Sequence, residues 1–383
     1  MITFKFNIPF SIGIILLIAF CVRFFVVATM FVLDIGQQTW TDESTFYNEA
    51  VAYLAISLGT ATQAQMDGID IVSNSREFSI SYVMHFVMDF FGSSLFVPRV
   101  ICVFFGVGSV FLVYRITYII TNSYSSAKLS ALIASLFPAL IIYSTMFTRE
   151  PFIVFFILFG FLLLFLHNAK VSFKYRSFVY LIPYLGCIYI ENHLHGAVAL
   201  VMSIMGLVYV SRFYSKKYLK LLPLLFIMGI GIFSVDFTYL NTIGDFNLGF
   251  LYQEIEKRAT GTFAYVGEVD SISSFLNIFP SLIFHFTVGF PVKTSLNAII
   301  LIANSLIWLT LFVTIYMVLP KLLVRSSEIR LISFAILLFI IIFAVGSANY
   351  GTSMRHKTKF APLLIILAVS TIAFRQKKYL YNL

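Results

Sequence analysis

Phe152-Ile153-Val154-Phe155-Phe156-Ile157-Leu158-Phe159-Gly160-Phe161-Leu162-Leu163-Leu164-Phe165-Leu166 is an unbroken apolar stretch, and Leu331–Val345 repeats the pattern with only Ser333 interrupting it. Neither alternates. A barrel strand would place polar residues at every second position, facing a lumen. In hydrocarbon, a continuous apolar segment must satisfy its own backbone groups, and a helix does so. Similar runs recur from one end of the chain to the other. They leave no room for a sizeable water-soluble domain. Charged residues are 11% of the 383 positions, against about a quarter in soluble domains. The expected fold is all-α: one polytopic transmembrane helical bundle over residues 1–383.

The first apolar run, about Ile8 to Leu33, is longer than the apolar core of a signal peptide, and no small-residue cleavage site follows it. It is expected to remain as the first helix. Cys21, Cys102 and Cys187 all lie inside apolar runs, without metal-ligand spacing, and read as small core residues.

The net charge of +9 is not a nucleic-acid signature, because its distribution follows membrane topology. Sixteen of the 26 Lys and Arg fall in clusters around Lys5, Arg115/Lys128, Lys170–Arg176, Arg212–Lys220, Lys321–Arg330 and Arg375–Lys378, alternating with connections that carry few bases. Basic short loops mark the cytoplasmic side. The expected spans are about 9–33, 97–119, 128–147, 151–168, 177–193, 196–211, 219–237, 295–319, 330–348 and 360–374. That is about ten helices, with both termini cytoplasmic in a bacterial inner membrane. Residues 275–290, with Pro280, His285 and Gly289, are expected to re-enter from the outer side, since a full crossing would invert every later helix. Ile80–Phe91 has a similar interfacial character. Of the 17 acidic residues only Glu328 is then cytoplasmic. Two long outer loops result, 34–96 and 238–274, and long loops in compact proteins usually carry function. Any chemistry is expected at the outer face.

In the first outer loop, Asp42 and Glu43 follow closely on the first helix, with Phe46, Tyr47 and a small-residue helix over Ala50–Leu58 behind them. A carboxylate held at a membrane surface can take a proton from a sugar hydroxyl when it lies within hydrogen-bond reach. On residue chemistry alone, Asp42 serves equally well as a helix cap with Glu43 solvated in the first turn.

Further along stand Pro98-Arg99, a helix running to Tyr114-Arg115, then Ala127-Lys128-Leu129 and a helix ending at Phe137-Pro138 and Tyr143-Ser144. Together with the Asp-Glu pair, this succession resembles the GT-C superfamily of membrane glycosyltransferases, in its protein mannosyltransferase and aminoarabinose transferase branch. Asn349-Tyr350-Gly351-Thr352-Ser353-Met354-Arg355-His356-Lys357 is similar to the basic motif before the last helix of GT-C-like proteins from polysaccharide clusters. The resemblance covers mainly about the first 170 residues and the last 40. It implies inverting transfer of a sugar from a polyprenyl-phosphate-linked donor to a glycan or lipid-linked acceptor at the outer face, with Asp42, or Glu43 beside it, as base. The chain departs from some members in lacking their large soluble C-terminal domain, and it has fewer helices than the longer ones. An O-antigen or capsule polymerase or ligase would share the lipid carrier and the outer loops. A non-catalytic lipid or sugar transporter would instead place ionisable groups near the midplane and break its helices in two related halves.

A phosphate leaving group needs cations. Arg355, Lys357 and Lys359, with His356 among them, sit on the side that basic residues ordinarily avoid, so a donor phosphate or lipid head groups would compensate them, unless the last loop is cytoplasmic. Arg99 either snorkels to the interface or reaches the same phosphate. Glu191, His193 and His195 lie at the outer end of the fifth helix. Histidines two apart do not share a helix face, so a polar lining or acceptor site fits better than a metal site, although a divalent metal remains a possible cofactor. Tyr47, and Tyr265 in the second outer loop, complete the expected substrate lining.

Overall fold

The structure, a computed structural model, describes residues 10–34, 41–62, 80–167, 177–210, 305–316, 326–345 and 350–380. Of these residues 90% are helical and none lies in a strand. The expected spans over 219–237, most of 295–319, the second outer loop and the segment 275–290 lie outside the described residues.

Helix α1 is Phe10–Val32. At 1.5 Å per residue its 23 residues reach about 35 Å, enough for a hydrocarbon core of about 30 Å. Helix α2, Thr41–Ser57, begins well before the expected Ala50 and takes Asp42 and Glu43 into its first turn. Helix α3 is Ile80–Phe91 and α4 is Phe96–Thr121. Asn122, at φ 47°, ends α4 in the left-handed conformation that commonly closes helices, its N–H bonding the Tyr118 carbonyl. Ser123 then caps α5, Tyr124–Leu136, its hydroxyl accepting from the Ser126 N–H. The expected helix over 128–147 breaks at Phe137, because the residue before a proline is pushed out of the helical region. Pro138 opens the short α6, Pro138–Tyr143. Glu150 starts α7, Glu150–His167, where its charge suits the helix N-terminus.

The chain divides into two compact units, Met1–Leu158 and Phe159–Leu383, where one domain was expected. In the first, α1 packs on α4, α5 and α6, α4 packs on α5, and α2 pairs with α3. Arg23, in the middle of α1, is buried and bonds the Ser144 hydroxyl at 2.8 Å, the Ala19 carbonyl at 3.1 Å and the Ser135 carbonyl at 3.0 Å. These bonds satisfy a charge that would otherwise be costly in the membrane. Gly106 makes room for them on α4. A Cβ there would lie 2.6 Å from the Ser144 Cβ and 3.1 Å from the Arg23 Nε.

In the second unit a π-helical turn, Ser177–Leu181, leads into α8, Ile182–Val210. The helix is not straight. His195 is extended, at φ −166° and ψ 95°. The Tyr184 hydroxyl donates to the Met202 carbonyl, and a Cβ at Gly206 would meet the Tyr184 ring at 2.7 Å. A straight helix would hold positions 184 and 202 about 27 Å apart. The element is therefore a hairpin with its apex near His195, matching the expected helices 177–193 and 196–211. Helix α9, Ser305–Tyr316, buries Trp308 against Phe360 at 5.8 Å between ring centroids. Helix α10, Ser327–Val345, packs on both α8 and the final helix α11, Tyr350–Leu380.

Among the described residues, five stretches have the length and composition to cross a membrane: Ser11–Val32, Phe96–Thr121, Val179–Tyr209 counted across its bend at His195, Ser327–Ala344 and Ser353–Phe374. They differ in surroundings. The first is 17% buried, as a lipid-facing helix would be, whereas the last is 89% buried and runs through the interior of its unit.

Candidate functional site

Each unit gathers its polar residues in one place. In the first, Glu43 is fully buried and holds the Arg99 guanidinium two-pronged, Nε to Oε1 at 2.8 Å and Nη2 to Oε2 at 2.7 Å. Oε1 also accepts the Phe147 backbone N–H at 2.7 Å. Three connections assigned by charge to the outer side, those before α2, before α4 and after α6, are thus tied by one carboxylate. This corrects two expectations. Glu43 is not solvated, and Arg99, 2% exposed, spends its planar fork on Glu43 rather than at a lipid head group. Asp42 lies in the first turn of α2, with its side chain outside the described residues. Tyr47 donates to the Ser93 carbonyl at 2.6 Å, and burial pushes its hydroxyl above the ordinary value, so it remains a donor. Behind it, Ser81 of α3 donates to Glu49 Oε2 at 2.7 Å and Tyr53 meets Tyr82 edge to face.

The second cluster forms where the α8 hairpin meets the start of α11. Arg355, His356 and Lys357, expected in a loop, occupy the first turns of α11, because their helix begins at Tyr350. Its polar opening is covered by protein, so hydropathy alone underrates it. Phe343 of α10 is the hub. Its ring lies 4.6 Å from the His356 ring, 5.4 Å from the His195 ring and 5.2 Å from the Lys359 ammonium. The His195 and His356 rings are 5.7 Å apart, although 160 residues separate them in the chain. His356 and Lys359, three apart, share a helix face toward that ring. An ammonium over a desolvated aromatic face gains up to about 2 kcal/mol.

Glu191, four residues before the hairpin apex, is fully buried. Neither of its carboxylate oxygens has a hydrogen-bond partner among the described residues. Lys357 and Lys359 are buried as well, and so is Ser353 one turn earlier. Around this floor His193, His195 and Arg355 are half-buried, and Gly196 is exposed. The His193 ring packs edge-on to Tyr189 at 4.6 Å. Thus His195 and His356, named separately from the sequence, share one neighbourhood, with Glu191 four residues before His195, whereas Lys357, two positions before Lys359, does not share its helix face. Tyr265 lies outside the described residues. Lys359 was expected as the third base of the outer group. Phe343 was not among the expected site residues, because it sits in a run of apolar residues and carries no signal of its own.

Among the described residues no group of three or more His, Cys, Asp or Glu side chains is placed to hold a metal ion. Around Phe343 the described residues instead bring together one buried ammonium group, Lys359, and the two imidazoles of His195 and His356, with the half-buried Arg355 one turn from Lys359 on α11, an arrangement suited to an anion. No family model matches the chain, and no curated protein or solved structure is significantly similar to it.

Proposed function

We propose that this chain is a membrane glycosyltransferase. It takes a sugar from a polyprenyl-phosphate-linked donor at the outer face of the cytoplasmic membrane and serves surface-glycan synthesis, within a GT-C-like helical bundle. The observation that carries this reading is the cationic cluster at the start of α11. A lipid-linked phosphate is an anion that such a set of cations and imidazoles suits, and it keeps its prenyl chain in the bilayer. Arg355 and Lys359, one turn apart on α11, hold that phosphate, His356 and His195 donate hydrogen bonds to it, and Lys357 adds charge from the adjoining face. Charge placed where the leaving group becomes anionic favours transfer over mere binding.

By resemblance the proton of the acceptor hydroxyl goes to Asp42. Glu43 is the weaker choice, because its oxygens already serve Arg99 and Phe147. His193, beside the α8 apex, is the candidate for lining the acceptor.

The transporter reading gains from the interrupted helix at His195 and the buried Glu191. It loses on depth. Lys357 is the fifth residue of the candidate span Ser353–Phe374, about 6 Å along the helix from its start, near a lip rather than a midplane.

The test is genetic and chemical. Deleting the gene in its host should remove or shorten a surface glycan seen on gels, and the wild-type chain should restore it. Purified protein in nanodiscs should retain undecaprenyl phosphate, and Lys359→Met should weaken that retention about 10-fold or more, the loss of one charge-assisted bond. An unchanged glycan together with no lipid-phosphate retention would overturn the reading.

A further inference from the structure

We infer that α3 is a membrane-interface helix, whose outward face sits among lipids and holds α2, with the acidic pair at its start, at head-group level. The inference asks only that the chain be seated in a membrane. It stands apart from the glycosyltransferase reading.

The pattern of α3 sets the case. Its buried residues are Ile80, Ser81, Met84, His85 and Met88. At the helical period they form one stripe, and α3 packs on α2. The opposite stripe is Tyr82, Val83, Phe86 and Phe90, between 37% and 85% exposed. No Lys or Arg falls in the helix. A surface helix of a water-soluble protein turns polar residues outward. Here the outward face is as apolar as the buried one, and such a patch marks a membrane or protein contact.

The occupant follows from what adjoins the patch. Helix α1 has spanning length and is only 17% buried, so its outward side faces lipid. Its last turns expose Phe31 and Val32, and Leu33 after them is exposed too. Phe31 and Phe24 both meet Phe96, at 5.3 and 6.0 Å between ring centroids. Phe96 opens α4 shortly after α3 ends at the exposed Phe91. The lipid-facing surface of α1 is thus continued by Phe96 towards the end of α3, and aromatic residues gather at membrane interfaces in this way. Length and charge set the depth. The 12 residues of α3 reach about 18 Å, well short of a hydrocarbon core. Asp89 is exposed beside the stripe, and a bare carboxylate is too costly in mid-bilayer.

Helix α3 is also clamped to α2. Ser81 donates to Glu49 Oε2 at 2.7 Å, and the Tyr53 ring meets those of Tyr82 and His85 at 5.4 and 6.0 Å. Tyr47 donates to the Ser93 carbonyl just past α3. These contacts make α2 follow α3. The first turn of α2 carries Asp42 and Glu43, so α3 sets the height of that pair.

The experiment places nitroxide labels on the full chain in liposomes of phosphatidylethanolamine and phosphatidylglycerol. Val83→Cys, Phe86→Cys and Phe90→Cys are made one at a time in a cysteine-free background. All three sites are exposed, so the label displaces no core. Native Cys21, exposed on α1, marks the hydrocarbon when it alone is kept. Ser125→Cys, exposed at the polar elbow between α4 and α5, marks water. The readout is the ratio of collisions with oxygen, which partitions into lipid, to collisions with a water-soluble nickel chelate. The three labels should give ratios above that of Ser125 and below that of Cys21. Ratios at the Ser125 level would put the stripe in water and overturn the inference. Few collisions with either reagent would show a protein cover, a partner or a second copy, and overturn it equally. Three separate sites keep the test decisive if one variant folds poorly. A label at Asn48→Cys, exposed on α2, tests the clamp. Adding Phe86→Ser and Phe90→Ser should raise its collisions with the nickel chelate, and unchanged collisions would overturn the height-setting role.

Discussion

Glu43 and Arg99 stand 56 residues apart and meet in a two-pronged ion pair that is closed to solvent, with side-chain exposures of 0% and 2%. Such a pair is most visible when broken, because the remaining charge is stranded. Arg99→Ala should destabilise the first unit by about 3–5 kcal/mol, lowering the melting temperature in detergent. Arg99→Lys should fall between, since an ammonium cannot reproduce the fork. The double variant Glu43→Ala/Arg99→Ala should be more stable than Arg99→Ala alone. Additive losses across this cycle would mean that the two residues are not coupled.

Gly106 supports a second prediction. The ideal Cβ of Gly106→Ala overlaps Ser144 and crowds the Arg23 guanidinium. Ser144 belongs to the turn after α6 and cannot yield without moving it, so the substitution should cost about 1–3 kcal/mol, as overpacking does. Arg23→Leu should remove the tie between α1 and the carbonyls of Ala134 and Ser135. Thermal melts of the two variants and their combination check this. The combination should lose less than the sum, since Gly106→Ala has less to crowd once the guanidinium is gone.

The hairpin in α8 yields a covalent test. With the native cysteines replaced, Tyr184→Cys/Met202→Cys should be joined by a reducible bifunctional methanethiosulfonate about as long as a tyrosine side chain, because the Tyr184 hydroxyl reaches the Met202 backbone. Gel mobility with and without reductant reads the result. In a straight helix the two positions lie about 27 Å apart and no bond could form.

The parts of this protein that were legible in its sequence depend on runs of like residues. The bounds of α1, α4 and α7 follow from apolar length, and the hairpin apex follows from Glu191-Asn192-His193-Leu194-His195-Gly196 standing between two apolar stretches. The breaks that depend on one residue, as at Phe137 before Pro138, were masked by the apolar run on either side. The start of α11 was misplaced because Gly351–Lys357 is polar, and a polar helix enclosed by protein has the hydropathy of a loop. The pairing of Glu43 with Arg99 was out of reach, since nothing local in either segment encodes a partner 56 positions away. The meeting of His195 with His356 was hidden for the same reason, although charge-derived topology had put both on one side.

Phe343 tests whether the second cluster is organised by its hub. Its ring touches His195, His356 and Phe360 and underlies Lys359. Phe343→Leu keeps an apolar side chain but removes the aromatic face. The cation–π contribution lost is about 1–2 kcal/mol, so undecaprenyl phosphate retention should fall by about 5- to 30-fold with only a small change in melting temperature. Phe343→Tyr should retain most of it. Equal retention in Phe343→Leu and wild type would mean that Lys359 is held by other contacts.

The sidedness of the cluster decides whether any of this chemistry can occur. Basic residues prefer the cytoplasmic side, and yet the reading puts Arg355, Lys357 and Lys359 outside with the apex of α8. In a cysteine-free background, Gly196→Cys is a mild probe, since a Cβ there meets only the Asn192 side chain at 3.9 Å. Arg355→Cys probes the start of α11 and is used for location alone. A membrane-impermeant maleimide should label both in intact spheroplasts, and should label a cysteine at position 216 only after permeabilisation. The two outer probes must agree, because His195 and His356, each beside its probe, have ring centroids 5.7 Å apart. Labelling of both from the cytoplasmic side would move the cationic cluster to the inner face. It would then meet nucleotide-linked rather than polyprenyl-linked sugars, and the donor proposed here would be wrong. Labelling from opposite sides would contradict the meeting of the His195 and His356 rings itself.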